Sequence, residues 1–75
     1  MPRFVHRQRQ AEYRRVIDDL TRRIGAGEFA PGAALPSRRQ LAEHYDVSIS
    51  TIARALPVLE YRGLVYGEQG RGTFV

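Results

Sequence analysis

The sequence predicts a mainly α domain with a small β-hairpin: three helices, the last two arranged as a helix-turn-helix, followed by a two-stranded wing. Three observations carry that expectation. Apolar residues recur at spacings of three and four over separate stretches, the signature of helices with one buried face. Serines stand at 37 and 48, just before two of those stretches, where helix N-termini need side-chain acceptors. A glycine-rich tail sets a turn between two short apolar segments, which is the pattern of a hairpin.

The first helix is expected from about Gln10. From there Tyr13, Val16, Ile17, Leu20 and Ile24 form one apolar stripe. Asp18 and Asp19 stand four residues before Arg22 and Arg23, the favourable order for surface pairs worth ~0.2–0.5 kcal/mol each. Residues 1–9 show no sustained periodicity and read as a flexible basic arm ahead of a domain spanning 10–75. Arg3, Arg7 and Arg9 in that arm leave two readings open, a solvated tail and an arm that enters a minor groove. Gly25 and Gly27 end the helix, and Gly27 to Pro36 is a turn-rich connector anchored by Phe29 and Leu35.

Ser37 and Gln40 have capping-box spacing, so hydroxyl and amide each satisfy a free backbone N–H at the start of the second helix. Leu41, Ala42 and Tyr45 supply its buried stripe. Arg38 and Arg39 fall in its first turn, where the helix dipole disfavours cations unless an anion is near. Asp46 and Val47 form a tight turn, Ser48 caps the third helix, and Gly63 stops it after Arg62. On that helix Ile52, Ala55, Leu56 and Leu59 converge on the core, while Ser50, Arg54, Pro57 and Tyr61 lie opposite. Pro57 removes one backbone hydrogen bond and predicts an irregularity between Ala53 and Pro57. In the tail, Leu64 to Tyr66 and Thr73 to Val75 flank the turn, with Arg71 at its tip.

Composition limits what such a domain does. At 75 residues the chain buries only ~60% of its unfolded surface, which leaves little room for a large internal ligand cavity. It has no cysteine, so disulfides, thiol nucleophiles and zinc knuckles are excluded. Its first residues lack the apolar run of a signal peptide, and no segment approaches the ~20 apolar residues of a membrane span, which reads as cytoplasmic with no membrane partner. All twelve cationic residues are arginine, against eight acidic residues, giving a net charge of +4. Arginine's planar fork suits phosphate and guanine.

No catalytic constellation assembles. His6 and His44 have neither a metal-ligand spacing nor a nucleophile partner, so no catalytic residue, metal or cofactor is expected. The run Gly67 to Gly72 follows no βαβ unit and has no lysine after it, which favours a hairpin over a phosphate loop. A helix-turn-helix whose second helix opens on Ser48, Ser50 and Thr51 suits close approach to a DNA major groove. Arg38, Arg39, Arg54 and Arg71 are expected on one face with them. The rival reading is a winged-helix protein-interaction module whose basic face is incidental, and salt dependence separates the two.

The motifs Leu35-Pro-Ser-Arg-Arg-Gln-Leu-Ala42, Val47-Ser48, Thr51-Ile52, Ala55-Leu56, Leu59-Glu60, Gly63-Leu-Val65 and Gly70-Arg-Gly-Thr-Phe-Val75 resemble the winged helix-turn-helix of the GntR family of bacterial transcription regulators. The resemblance runs from about residue 12 to 75. It implies a DNA-binding domain of a regulator, more often a repressor, that dimerises on a palindromic operator through a C-terminal effector-binding domain. That domain is absent from this chain, which is therefore expected to be an isolated, monomeric DNA-binding half.

Carried over by position, Arg39 matches the family's second-helix arginine at the DNA. Ser48, Ser50 and Thr51 match polar contacts at the mouth of the recognition helix, and Gln69 with Gly70 match the wing tip in the minor groove. Two departures stand out: Ile49 and Ala53 occupy positions where the family commonly has guanine-reading arginines. Arg54 is turned about 100° from Ala53 and is no simple substitute. Arg38, where glutamate is frequent, suits an added phosphate contact. Ile49 leaves two readings open, a contact to a thymine methyl and packing at the edge of the core.

Overall fold

A computed structural model describes the backbone of residues 2–75 and the side chains of residues 10–75. The chain runs α1 (Pro2–Gly25), α2 (Arg38–Tyr45), α3 (Ile49–Tyr61), β1 (Tyr66–Glu68) and β2 (Gly72–Phe74). Both α1 and α2 pack on α3, the central helix. Between them lies one core of Val16, Ile17 and Leu20 from α1, Leu41, Ala42 and Tyr45 from α2, and Ile52, Ala55, Leu56 and Leu59 from α3. These are the stripes expected from spacing. Leu35 and Val65, which lead into α2 and β1, complete it.

Helix α1 starts at Pro2 instead of near Gln10, so the backbone expected to form an arm continues the helix. Proline suits a first helical position because its fixed φ is already helical and its missing N–H has no partner to lose there. Glutamine, alanine, glutamate and arginine from residue 8 to 15 are good helix formers that carry no apolar period. Arg3, Arg7 and Arg9 have side chains outside the described residues.

The helix-turn-helix is closed by local chemistry. Ser37 Oγ accepts from Gln40 N at 3.1 Å while Gln40 Oε1 accepts from Ser37 N at 2.9 Å, a complete capping box. Asp46 ends α2 in the left-handed region at φ 56°, and its N–H reaches back to the carbonyls of Ala42 and Glu43. Aspartate is among the few non-glycine residues that tolerate this conformation. Helix α3 is unbroken from Ile49 to Tyr61 despite Pro57, contrary to the expected irregularity. Pro57 is exposed, so its ring lies on the solvent side, and core packing by Ala55, Leu56 and Leu59 holds the helical path around it. Gly63, at φ 76°, makes the exit turn.

Strands β1 and β2 pair antiparallel with Tyr66 opposite Phe74, Gly67 opposite Thr73 and Glu68 opposite Gly72. They sit one or two residues inward of the apolar segments marked in the sequence. The connector adds a third rung to this wing. Ala34 bridges Phe74, and Leu35 N donates to Thr73 O at 2.8 Å. Gly32 N donates to Val75 O and Val75 N to Ala33 O, at 2.8 and 2.9 Å. The strand that clamps the wing therefore runs directly through Pro36 and Ser37 into the first turn of α2.

Candidate nucleic-acid interface

An open groove lies between the first turn of α2, the start of α3 and the wing. Arg38, Arg39, Ile49, Gln69, Gly70 and Arg71 all line it. Six of the ten residues expected at the site from sequence thus meet on one surface. Ser48, Ser50 and Thr51 form a hydroxyl cluster at the mouth of α3. Ser48 Oγ accepts from Thr51 N at 3.2 Å and lies 3.0 Å from Ser50 Oγ and 2.9 Å from Thr51 Oγ1.

Arg54 is placed differently. Its guanidinium carbon stands 5.0 Å from the centre of the Tyr13 ring, on the α1 side of α3, and it does not line the groove. The expectation of four arginines on one face holds for Arg38, Arg39 and Arg71. Arg54 departs because α1 offers an aromatic ring within its reach, which the helical wheel of α3 alone does not contain.

Ile49 is 47% exposed and is not among the partly buried apolar residues that pack against the core. Neither α2 nor α3 has an acidic residue in its first turn, so the positive ends of both helix dipoles point outward uncompensated. Among the described residues, Arg38 and Arg39 have no carboxylate within ion-pair distance. Arg71 lies 3.3 Å from Glu68.

The wing turn is built for close approach. Arg71 N donates to Glu68 O at 2.9 Å, and Gly70 holds φ 79° in the third position of that turn, which a side chain would strain. At Gly67 an added Cβ would meet Glu60 Oε1 at 3.4 Å, so the wing and the end of α3 are in near contact.

Outside the groove, Tyr45 gathers charges that the sequence left unassigned. Its hydroxyl donates to Asp19 Oδ2 at 2.6 Å and accepts from Arg23 Nη1 at 3.2 Å, and Arg15 Nη2 donates to its carbonyl at 2.7 Å. Asp19 also pairs with Arg22, and Arg23 with Glu28 at 3.0 Å. The Tyr45 hydroxyl is the main reason the Asp19 carboxyl is held below its ordinary value, with Arg22 reinforcing it against partial burial. Burial, then the Asp19 carboxylate, pushes the Tyr45 phenol up.

Three helices, a wing clamped to the second helix and a groove where Arg38 and Arg39 meet no carboxylate among the described residues make this a winged helix-turn-helix DNA-binding domain. The model of the bacterial regulatory proteins of the gntR family matches residues 12–75, and the chain belongs to that family. The transcriptional repressor NagR of Bacillus subtilis is 41% identical over 63 residues, which is 84% of this chain and 26% of NagR. The mannosyl-D-glycerate transport/metabolism system repressor MngR of Escherichia coli is 36% identical over 63 residues, again 84% of this chain and 26% of MngR. The DNA-binding domain of AraR, solved in complex with operator ORR3, matches with a TM-score of 0.80 at 34% identity, covering 85% of this chain and 77% of that one. The chain thus spans about a quarter of the length of these two repressors, and 13% of the uncharacterized regulator YdfD of Bacillus subtilis.

Proposed function

We propose that this chain is the operator-reading domain of a bacterial transcription regulator that binds double-stranded DNA sequence-specifically, most simply as a repressor. The observation that carries the reading is the groove: Arg38 and Arg39, free of carboxylate partners among the described residues, face the same opening as exposed Ile49 and the wing turn. Unpaired arginine at a helix N-terminus favours a polyanion. The repressors NagR and MngR and the operator-bound AraR domain support the same role.

In this reading α3 enters the major groove with Ser48, Ser50 and Thr51 close to the duplex. Arg39 makes the principal contact from α2 and Arg38 adds a phosphate. Gln69 and Gly70 lead the wing into the neighbouring minor groove, with Arg71 beside the backbone. Ile49 covers a thymine methyl, so this operator depends less on guanine at that position than operators read by arginine. Two copies, joined through an effector-binding domain outside this chain, bind a palindrome in the cytoplasm, while the 75-residue chain alone is monomeric and binds a half-site weakly.

Selection of bound sequences from random duplex DNA tests this. A recovered half-site, with affinity falling as salt rises by a log–log slope of about 0.9 per phosphate neutralised, is expected. Binding that neither selects a sequence nor responds to salt would move a protein-interaction role to first place. Ile49→Arg is expected to shift the selected site toward guanine; unchanged base preference would remove Ile49 from the readout.

A further inference from the structure

Arg54 is the one arginine of α3, and its surroundings differ from those of the other expected contacts. It stands four residues after Ser50 and three after Thr51, on the same side of the helix as the hydroxyl cluster. Side chains on a helix lean toward its N-terminus, so the Arg54 stem points back toward those hydroxyls. The residue is exposed. Among the described residues its guanidinium meets no carboxylate: the ion pairs join Asp19, Glu28 and Glu68 to other arginines. Its contact is the face of Tyr13, at 5.0 Å, on helix α1.

Tyr13 is itself half-buried against the core, so the ring is a fixed platform. A guanidinium over an aromatic face keeps its full charge and its outward N–H groups, whereas a carboxylate partner would neutralise it. The groove arginines flank α3 on the α2 and wing side, and Arg54 flanks it on the α1 side. A recognition helix seated in a major groove has a phosphate strand along each flank.

We propose that Tyr13 is a positioning residue for DNA binding. Its ring holds Arg54 on the α1 flank of α3, where the guanidinium binds a backbone phosphate on the side of the groove opposite to Arg38 and Arg39. Arg54 in this role adds affinity and fixes the roll of α3 without reading a base. The inference rests on the DNA-binding reading above and adds to it a second phosphate anchor and the residue that orients it.

A double-mutant cycle on the 75-residue chain tests the pair, with affinity for the selected half-site duplex measured from low to moderate salt. Arg54→Gln is expected to weaken binding equally on the selected and on unrelated duplexes and to lower the salt slope by about 0.9, one phosphate. Tyr13→Leu is expected to weaken binding about three- to fivefold when Arg54 is present and to have no effect in the Arg54→Gln background. Tyr13→Phe, which keeps the aromatic face, should retain wild-type affinity. Equal losses from Tyr13→Leu in both backgrounds would overturn the positioning role and leave Tyr13 as packing alone. A changed base preference in Arg54→Gln, or an unaltered salt slope, would overturn the phosphate role. Thermal melts verify that folded proteins are compared, and Tyr13→Met replaces the leucine variant if that one melts below the assay temperature. Failure of the wild-type chain to bind any duplex would sink the DNA-binding reading itself, an outcome distinct from all of these.

Discussion

The Tyr45 network and the groove carry the same residue type in opposite states. On the α1 side, Arg15, Arg22, Arg23 and Arg62 are held by the chain itself, through the Tyr45 carbonyl, Asp19, Glu28 and the Thr21 hydroxyl. On the groove side Arg38 and Arg39 are held by nothing charged among the described residues, and Arg71 by a single half-buried glutamate. Net charge alone would have treated these arginines as equivalent. What separates them is whether the fold delivers an acceptor: α1 carries Asp19 and Glu28 follows it closely, whereas the first turns of α2 and α3 carry no acid. Paired arginines stabilise the domain, and unpaired ones are available to a partner.

If that division is correct, substitutions at the internally paired arginine network and at the groove arginines should separate into stability and affinity. The largest effect is expected for Arg39→Ala, which should cost about 2 kcal/mol of DNA binding, some thirtyfold in Kd, as expected for a bidentate contact. Its melting temperature should stay unchanged because no intramolecular partner is lost. A lowered Tm with intact affinity would reverse the assignment of sides.

Tyr45→Phe is the counterpart on the paired side. Removing the hydroxyl breaks its bonds to Asp19 and Arg23 and should lower stability by about 1 kcal/mol, or roughly 5 °C in Tm, without changing DNA affinity. The effect should depend on pH. Because the folded Asp19 carboxyl is held below its ordinary value of 3.8, the unfolded chain takes up the proton first as pH falls. The stabilisation is therefore present above the ordinary carboxylate range and disappears as pH drops through the lowered folded value. Denaturation of both proteins at pH 7 and at successively lower pH below the ordinary carboxylate range should show the gap between them narrowing; a constant gap would remove Asp19 from the network's energetics.

How much of this was legible beforehand follows from how local each feature is. The capping box of Ser37 and Gln40, the Ser48 cap and the stripes of all three helices depend on residues three or four apart, and the sequence displays those relations directly. The Tyr45 network joins residues 22 to 30 positions apart, and no spacing rule connects them. The rung that Ala34 adds to the wing was read as a turn-rich connector, since it is too short to show strand alternation. Pro57 was read from its local cost, and the packing of α3 against two helices outweighed that cost. For the site, Arg38, Arg39 and the wing residues came through motif and position, but the turn of Arg54 toward Tyr13 required the placement of α1.

Ser48 both caps α3 and belongs to the hydroxyl cluster expected at the DNA, so Ser48→Ala should register on both scales. Loss of the N-cap should lower stability by about 1 kcal/mol. It also frees the hydroxyls of Ser50 and Thr51 from their shared partner, and affinity should fall with stability. Ser48→Asp sharpens the test: aspartate caps as well as serine, so stability should recover, while a carboxylate at the mouth of α3 should repel the duplex. Recovery of both properties would mean that the cap only serves the fold.

The smallest expected effect distinguishes the wing from the rest of the groove. Arg71 sits 3.3 Å from Glu68, and both side chains reach solvent, at 74% and 40% exposure. An exposed pair of this kind contributes at most about 1 kcal/mol to stability, so Glu68→Gln should leave Tm almost unchanged. Binding is another matter, because a phosphate approaching Arg71 competes with Glu68 and is repelled by it. Neutralising the glutamate removes both penalties, and affinity should rise by about two- to fourfold at low salt, with the gain shrinking as salt screens the repulsion. Arg71→Gln, when combined with it, should erase the part of that gain that comes from competition for Arg71. If Glu68→Gln weakens binding instead, the carboxylate aims Arg71 at the duplex, and the wing would belong with the internally paired side of the molecule.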